Sequence, residues 1–245
     1  MTDQLTSPPI LLVAGHWLGA WAWDDVLAHL SPDARVTAVT LPGLDAGDPE
    51  RATRTLDDQA LAIRDALESL GASTDGPAIV VAHSGANGPV SIVLDRHPEL
   101  VRRVIWVDSG PMASGSAFAP ELPDTVAELP LPPFDVLSQQ ASLDGVDAEH
   151  LDRFRARAVP QPAPVLREQV VLTDDARHAV PTTLVCCSIS GEQVMAMARG
   201  GHPMFAEVSR LQQVDVVDLP TGHWPMWSTA RELAEVIETE AARAH

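Results

Sequence analysis

Ile79-Val80-Val81-Ala82-His83-Ser84-Gly85-Ala86-Asn87-Gly88 decides how this chain folds. An apolar run ends in a serine flanked by small residues, and a helix-like segment follows. This is the layout of a nucleophile elbow, the sharp strand-to-helix turn that lifts a serine Oγ above a parallel sheet. Its usual form is G-x-S-x-G, and here Ala82 and Ala86 stand in place of the glycines. The turn needs only side chains too small to collide where strand and helix cross, so alanine meets the requirement. The plainer reading is a serine at an ordinary strand–helix junction, and the rest of the chain must decide between the two.

Outward from Ser84, strands and helices alternate. Ile10–Ala14, Val36–Leu41, Ala78–Ala82, Val104–Val107, Thr182–Cys187 and Val214–Leu219 read as strands. The first is a continuous apolar run, as expected of a strand buried on both faces. The last carries alternating acids, as an exposed edge would. Ala20–Leu30, Leu56–Leu70, Ser84 to about Arg96, and Thr229–Ala242 read as helices, the second with Leu56, Ala60, Ile63, Leu67 and Leu70 along one face. The alternation predicts an α/β fold: a mostly parallel twisted sheet with helices on both faces. Between Pro111 and Pro181 prolines crowd in and no strand is legible. Helical pieces are expected around Ala148–Ala158 and Leu166–Leu172. Residues 111–180 therefore read as a helical cap inserted after the fourth strand, with 1–110 and 181–245 as the core; the competing reading is a loose linker between two domains.

Composition narrows the function. The chain has 245 residues, with 34 acidic against 16 basic side chains and a net charge of −18. All the basic residues are arginine. Such a surface repels phosphate backbones and anionic membranes, which excludes nucleic-acid binding and gives no membrane attachment. Cys186 and Cys187 are adjacent on a strand and so point to opposite faces, which is no disulfide framework and fits a reducing compartment. Met1 to Pro9 lacks a signal-peptide layout, and no apolar run is long enough to span a bilayer. A soluble cytoplasmic protein acting on a small molecule is expected, with a homodimer left open. No metal-ligand spacing appears among the nine histidines, and no cofactor is expected.

A histidine after the last strand is the natural partner for a serine at an elbow. His223 lies there, in Leu219-Pro220-Thr221-Gly222-His223-Trp224. Gly222 is read as leaving the backbone free to turn the imidazole toward the sheet. An oxyanion hole needs backbone N–H groups aimed at the developing charge. Gly85, after the serine, and His16, after the first strand, are the expected donors.

Gly15-His16-Trp17-Leu18-Gly19-Ala20-Trp21-Ala22-Trp23 resembles the H-G-x-x-H-G-A-W-x-W segment of the plant methylesterase and hydroxynitrile lyase group of α/β-hydrolases. Both histidines of that segment are replaced here, by Ala14 and Leu18. Thr40–Gly43, the Ser84 elbow, Val107-Asp108-Ser109 and Gly222-His223 fall in the same order as in that group. The resemblance implies a Ser-His-Asp triad with Ser84 and His223. Its aspartate ordinarily follows the strand that here is Thr182–Cys187, where this chain reads Ser188-Ile189-Ser190-Gly191-Glu192. Asp108, on the end of the preceding strand, is preferred as the acid for its rigid position, and Glu192 is the alternative. The lyases of the group carry a lysine after the histidine. Here Trp224 follows His223 and the chain has no lysine, so a serine esterase for small to medium apolar esters or lactones is expected. Trp17, Met112, Phe134 and Trp224 are candidate pocket walls. A small-molecule receptor, or lyase-type chemistry on the same residues, stays open.

Overall fold

The computed structural model describes residues 7–243. Residues 1–6, the larger part of the stretch read for a signal peptide, lie outside it. Six strands make one parallel sheet: β1 (Ile10–Val13), β2 (Val36–Val39), β3 (Ala78–His83), β4 (Val101–Val107), β7 (Thr182–Cys186) and β8 (Val214–Asp218). Their spatial order is β2-β1-β3-β4-β7-β8. β1 and β3 are buried along their whole length. Successive side chains therefore enter two different cores. Leu11, Val13, Val80, Ala82, Val104 and Trp106 pack on one face, and Ile10, Leu12, Ile79, Val81, Ile105 and Val107 on the other.

The first face is covered by α2 (Leu56–Ser69) and α3 (Asn87–Arg96), through Leu56, Ile63, Leu67, Val90 and Val93. α2 starts at a reciprocal cap in which Thr55 Oγ1 accepts from Asp58 N–H and Asp58 accepts from Thr55 N–H. The second face is covered by α1 (Asp24–Leu27) and α8 (Ala230–Arg243), through Val26, Leu233 and Ile237. The helix expected over Ala20–Leu30 is shorter than that: a 3-10 turn at Ala20–Trp23 leads into α1. Among the described residues, no helix is long and apolar enough to cross a membrane.

Between β4 and β7 the chain carries α4 (Phe134–Leu137), α5 (Ala148–Arg157) and α6 (Ala163–Arg167). α5 matches its expected range to within a residue, whereas α6 ends at Arg167, so only the first two residues of Leu166–Leu172 are helical. The reading of no strand there needs correction as well. β5 (Glu128–Leu129) and β6 (Gln161–Pro162) form a short antiparallel ladder. Two residues per strand leave no hydrophobic period to read, and a proline sits in the second.

This inserted segment is sewn to the sheet's carboxyl edge by backbone bonds. Val159 N–H donates to Trp17 O at 3.0 Å, and Gly222 and His223 N–H donate to Asp144 O and Ser142 O at 3.0 and 2.7 Å. A Cβ on Gly222 would lie 2.6–2.7 Å from the Ser142–Asp144 backbone. Close approach, not a freely bending loop, is what requires glycine there.

Candidate active site

Strand order reverses at β1, from which β2 lies to one side and β3 to the other. Beyond the carboxyl ends of the strands at such a switch point a crevice forms, and ligands of open α/β sheets bind there. Ser84 follows β3, His16 follows β1, and Asp108 follows β4. Trp17, Ser84 and Asp108 have φ of 65°, 51° and 44°, and among the described residues they are the only non-glycines with positive φ. Such conformations cost on the order of 1–3 kcal/mol each and persist only where the surroundings over-determine them. All three gather at this edge.

Ser84 begins a 3-10 turn, Ser84–Ala86, that runs into α3. Ala82 and Ala86 are buried, so alanine does fit the crossing of strand and helix. His223 Nε2 stands 2.8 Å from Ser84 Oγ, and its Nδ1 stands 2.5 Å from Asp108 Oδ2. Asp108 Oδ1 accepts from Cys187 N–H at 3.1 Å and Ser188 N–H at 2.9 Å, and Oδ2 also accepts from Ser188 Oγ–H at 2.6 Å. Burial pushes this carboxyl up, but the hydrogen bonds and charge of His223 and the bonds from Ser188 outweigh it and hold Asp108 at about 2. The loop after β7, which has no aspartate, supplies the donors that hold the aspartate following β4. Glu192 is exposed in the first turn of α7 (Gly191–Arg199), while Asp108 already occupies His223 Nδ1.

His83 went unnoticed in the sequence. It is buried, and its Nε2–H donates to the carbonyl oxygen of His223 at 2.8 Å, tying the elbow to the loop that bears the imidazole. Burial, then the neighbouring His223, pushes its pKa down to about 3, so the ring is neutral. His16 is likewise neutral: burial, then His223, lowers it to about 4. The His16 ring lies over Gly85, where a Cβ would come 2.3–2.5 Å from three ring atoms. Gly85 must therefore be glycine. Its N–H is among the first amides of the turn, which helical geometry leaves free. His16 N–H donates to no protein acceptor among the described residues.

Beside Gly85 opens a cleft of about 250 Å³, its solvent mouth included. Of the four expected wall residues, Met112 lines it. Trp17 does not: it is buried, with its indole N–H spent on Leu129 O at 3.0 Å, and its backbone N–H donates to Gln161. Trp224 is buried against Phe154 in the second core, and Phe134, half-buried, packs on Phe154 from that core's edge. Large aromatics gain more from full burial than from walling an open cleft. The exposed aromatic at the cleft is Phe118, edge-on to the His16 ring at 4.2 Å. Nothing in the proline-rich sequence around it marked it out. Cys186 and Cys187 are buried free thiols, and burial pushes Cys186 up to about 12, so neither is a nucleophile. Among the described residues, no group of three or more His, Cys, Asp and Glu is gathered as metal ligands would be.

The model of the alpha/beta hydrolase family matches residues 10–236. The chain is 26% identical over 143 residues to the putative chloroplastic methylesterase 14 of Arabidopsis thaliana, a match that takes in 57% of this chain. It spans 36% of that relative's length. Among solved structures, the Arabidopsis methylesterase MES16 aligns with a TM-score of 0.73 at 15% identity, over 96% of this chain and 99% of that one. Tomato methylketone synthase I aligns with the same score at 16% identity, over 98% and 99%. At such identities the likeness speaks for the fold.

Proposed function

The chain belongs to the alpha/beta hydrolase family, and from that premise we propose that it is a serine hydrolase cleaving small to medium carboxylic esters. The observation that carries the reading is the unbroken line Ser84 Oγ, His223 Nε2, His223 Nδ1, Asp108 Oδ2, with contacts of 2.8 and 2.5 Å. A base within hydrogen-bond reach of a hydroxyl, itself oriented by a buried acid, is what an activated nucleophile requires.

Ser84 Oγ attacks the ester carbonyl while His223 Nε2 takes its proton. The imidazolium is stabilised by Asp108, which stays ionised. The N–H groups of His16 and Gly85 hold the tetrahedral oxyanion. His223 then gives the proton to the departing alkoxide, leaving an acyl-enzyme on Ser84. Water, deprotonated by the same imidazole, repeats the sequence and releases the acid. The similarity to methylesterases favours small alcohols as leaving groups.

The test is to incubate wild type and Ser84→Ala with p-nitrophenyl esters from acetyl to octanoyl and with an organophosphonate. Wild type is expected to hydrolyse the esters and to take up the label. Ser84→Ala is expected to lose both, with kcat down by roughly a million-fold. Label retained on Ser84→Ala, or no turnover by wild type, would overturn the reading.

A further inference from the structure

The cleft beside Gly85 carries one carboxylate and no cation. Leu56, Met112, Phe118 and Val165 give it apolar walls, and His16, Asn87 and Glu168 are its polar side chains. Glu168 sits half-buried at the end of α6. Its Oε2 accepts the first amide of α2, Leu56 N–H, at 2.9 Å. Its Oε1 has no hydrogen-bond partner among the described residues, although a carboxylate can accept about four bonds. Asn87 Nδ2 spends one of its two N–H groups on Gly110 O at 3.1 Å, which leaves it one donor and its carbonyl oxygen. The His16 ring, neutral at ordinary pH, has one nitrogen that accepts and one N–H that donates, so it adds no net demand. No arginine lines the cleft, and the chain has no lysine to neutralise Glu168. No cation offsets Glu168, so its free oxygen is the one charged acceptor of the cleft, and it calls for a donor.

We infer that this cleft selects esters whose acyl part carries a hydroxyl or N–H donor, and that Glu168 is the residue that reads it. The inference rests on the hydrolase reading and names its substrate class. A plain alkyl chain entering the cleft would strip water from Glu168 and return nothing, and a burial of that kind is costly. A carboxylate on the chain would meet a like charge at close range in a medium less polar than water. A hydroxyl replaces the lost water bond with one to a charged acceptor, the stronger kind of hydrogen bond.

The experiment compares p-nitrophenyl esters of hexanoate, β-hydroxyhexanoate, ω-hydroxyhexanoate and the adipate half-ester on wild type and Glu168→Gln. In wild type the better hydroxy ester should exceed hexanoate in kcat/KM by about tenfold or more, the scale of one bond to a charged acceptor. The half-ester should rank last. Glu168→Gln keeps a carbonyl oxygen for Leu56 N–H, so the fold is retained, which an unchanged Tm verifies. It should shrink the hydroxy preference and raise the half-ester by about tenfold. Equal rates across the series in wild type, or a ranking that Glu168→Gln leaves intact, would overturn the inference while leaving the hydrolase reading standing. If wild type hydrolyses none of the esters, calorimetric binding of hexanediol against hexanol decides instead. A preference for the diol that Glu168→Gln removes supports the selectivity, and equal binding overturns it.

Discussion

His223 and His178 each hold a carboxylate, at 2.5 Å from Asp108 and 2.8 Å from Glu207, yet their surroundings give the two pairs different uses. His223 has a serine hydroxyl on its second ring nitrogen and remains partly open to solvent. The second nitrogen of His178 faces another acid, Asp175, at 3.5 Å. Around His178 the neighbours are an arginine and further acids. Arg177 donates to Glu207 and Asp95, and Asp95 also accepts Thr173 and Asp174 N–H at 2.7 and 2.8 Å. Burial pushes Glu207 up, but bonds from His178 and Arg210 and the charge of Arg177 bring it below the usual range. These contacts fasten the end of the inserted segment to α3 and to the turn at Glu207–Arg210. The lesson is that a histidine–carboxylate pair becomes a candidate catalyst only when its free nitrogen meets a nucleophile beside unspent backbone donors. Otherwise it is a lock.

Breaking the first pair should have the largest effect. Asp108→Asn leaves the shape intact but favours the wrong imidazole tautomer, and kcat on a p-nitrophenyl ester should fall about ten-thousand-fold. Tm should change little, because an asparagine oxygen can still accept from Cys187 and Ser188 N–H. Loss of less than tenfold would mean that another acid serves His223.

Breaking the second pair should do the reverse. Glu207→Ala strands Arg177 and His178 in a buried site and should cost about 3–5 kcal/mol in urea unfolding. At temperatures where the variant is folded, kcat/KM should stay within roughly twofold of wild type, as for distant, uncoupled sites. A large fall in kcat with stability intact would erase the distinction between the two regions.

The smallest effect sharpens the comparison through pH. His16 and His83 have folded pKa values of about 4 and about 3, below the ordinary value near 6.5. Between those limits the unfolded chain binds protons that the folded one refuses, so stability rises with pH across that window and is lost as pH falls through it. Asp108, held at about 2, adds a further loss only below about 4. Denaturant midpoints taken from pH 7 to pH 4 should therefore decline, and His83→Gln should flatten the decline. Glutamine keeps a donor for the His223 carbonyl, so its activity should stay near wild type, whereas His83→Ala should lose several-fold in kcat. Equal activity in both variants would show that the bond from His83 to His223 positions nothing.

The alternation of apolar runs with amphipathic segments was enough to read the six sheet strands and the fold class, because strand and helix periods are local properties of the chain. Ser84, His223 and Asp108 were legible for a related reason: each stands at the end of an apolar run, where small residues, glycine or proline punctuate the sequence. The short ladder of β5 and β6 was not legible, since two residues carry no period. Nor were the walls of the cleft. Trp17, Phe134 and Trp224 were expected there as large apolar side chains, and the core claimed them instead.

Sequence by itself thus determined the sheet, the elbow and the candidate residues. Tertiary structure alone decided which acid meets the imidazole, across 115 residues of chain, and that His83 braces His223 across 140. It also decided that Gly222 serves a docking backbone and that Glu168 closes over α2 from 112 residues away. The division follows from the physics. Periodicity and turn chemistry are set by neighbours in sequence, whereas a hydrogen bond needs two groups within about 3 Å in space, a distance that only the packed chain sets.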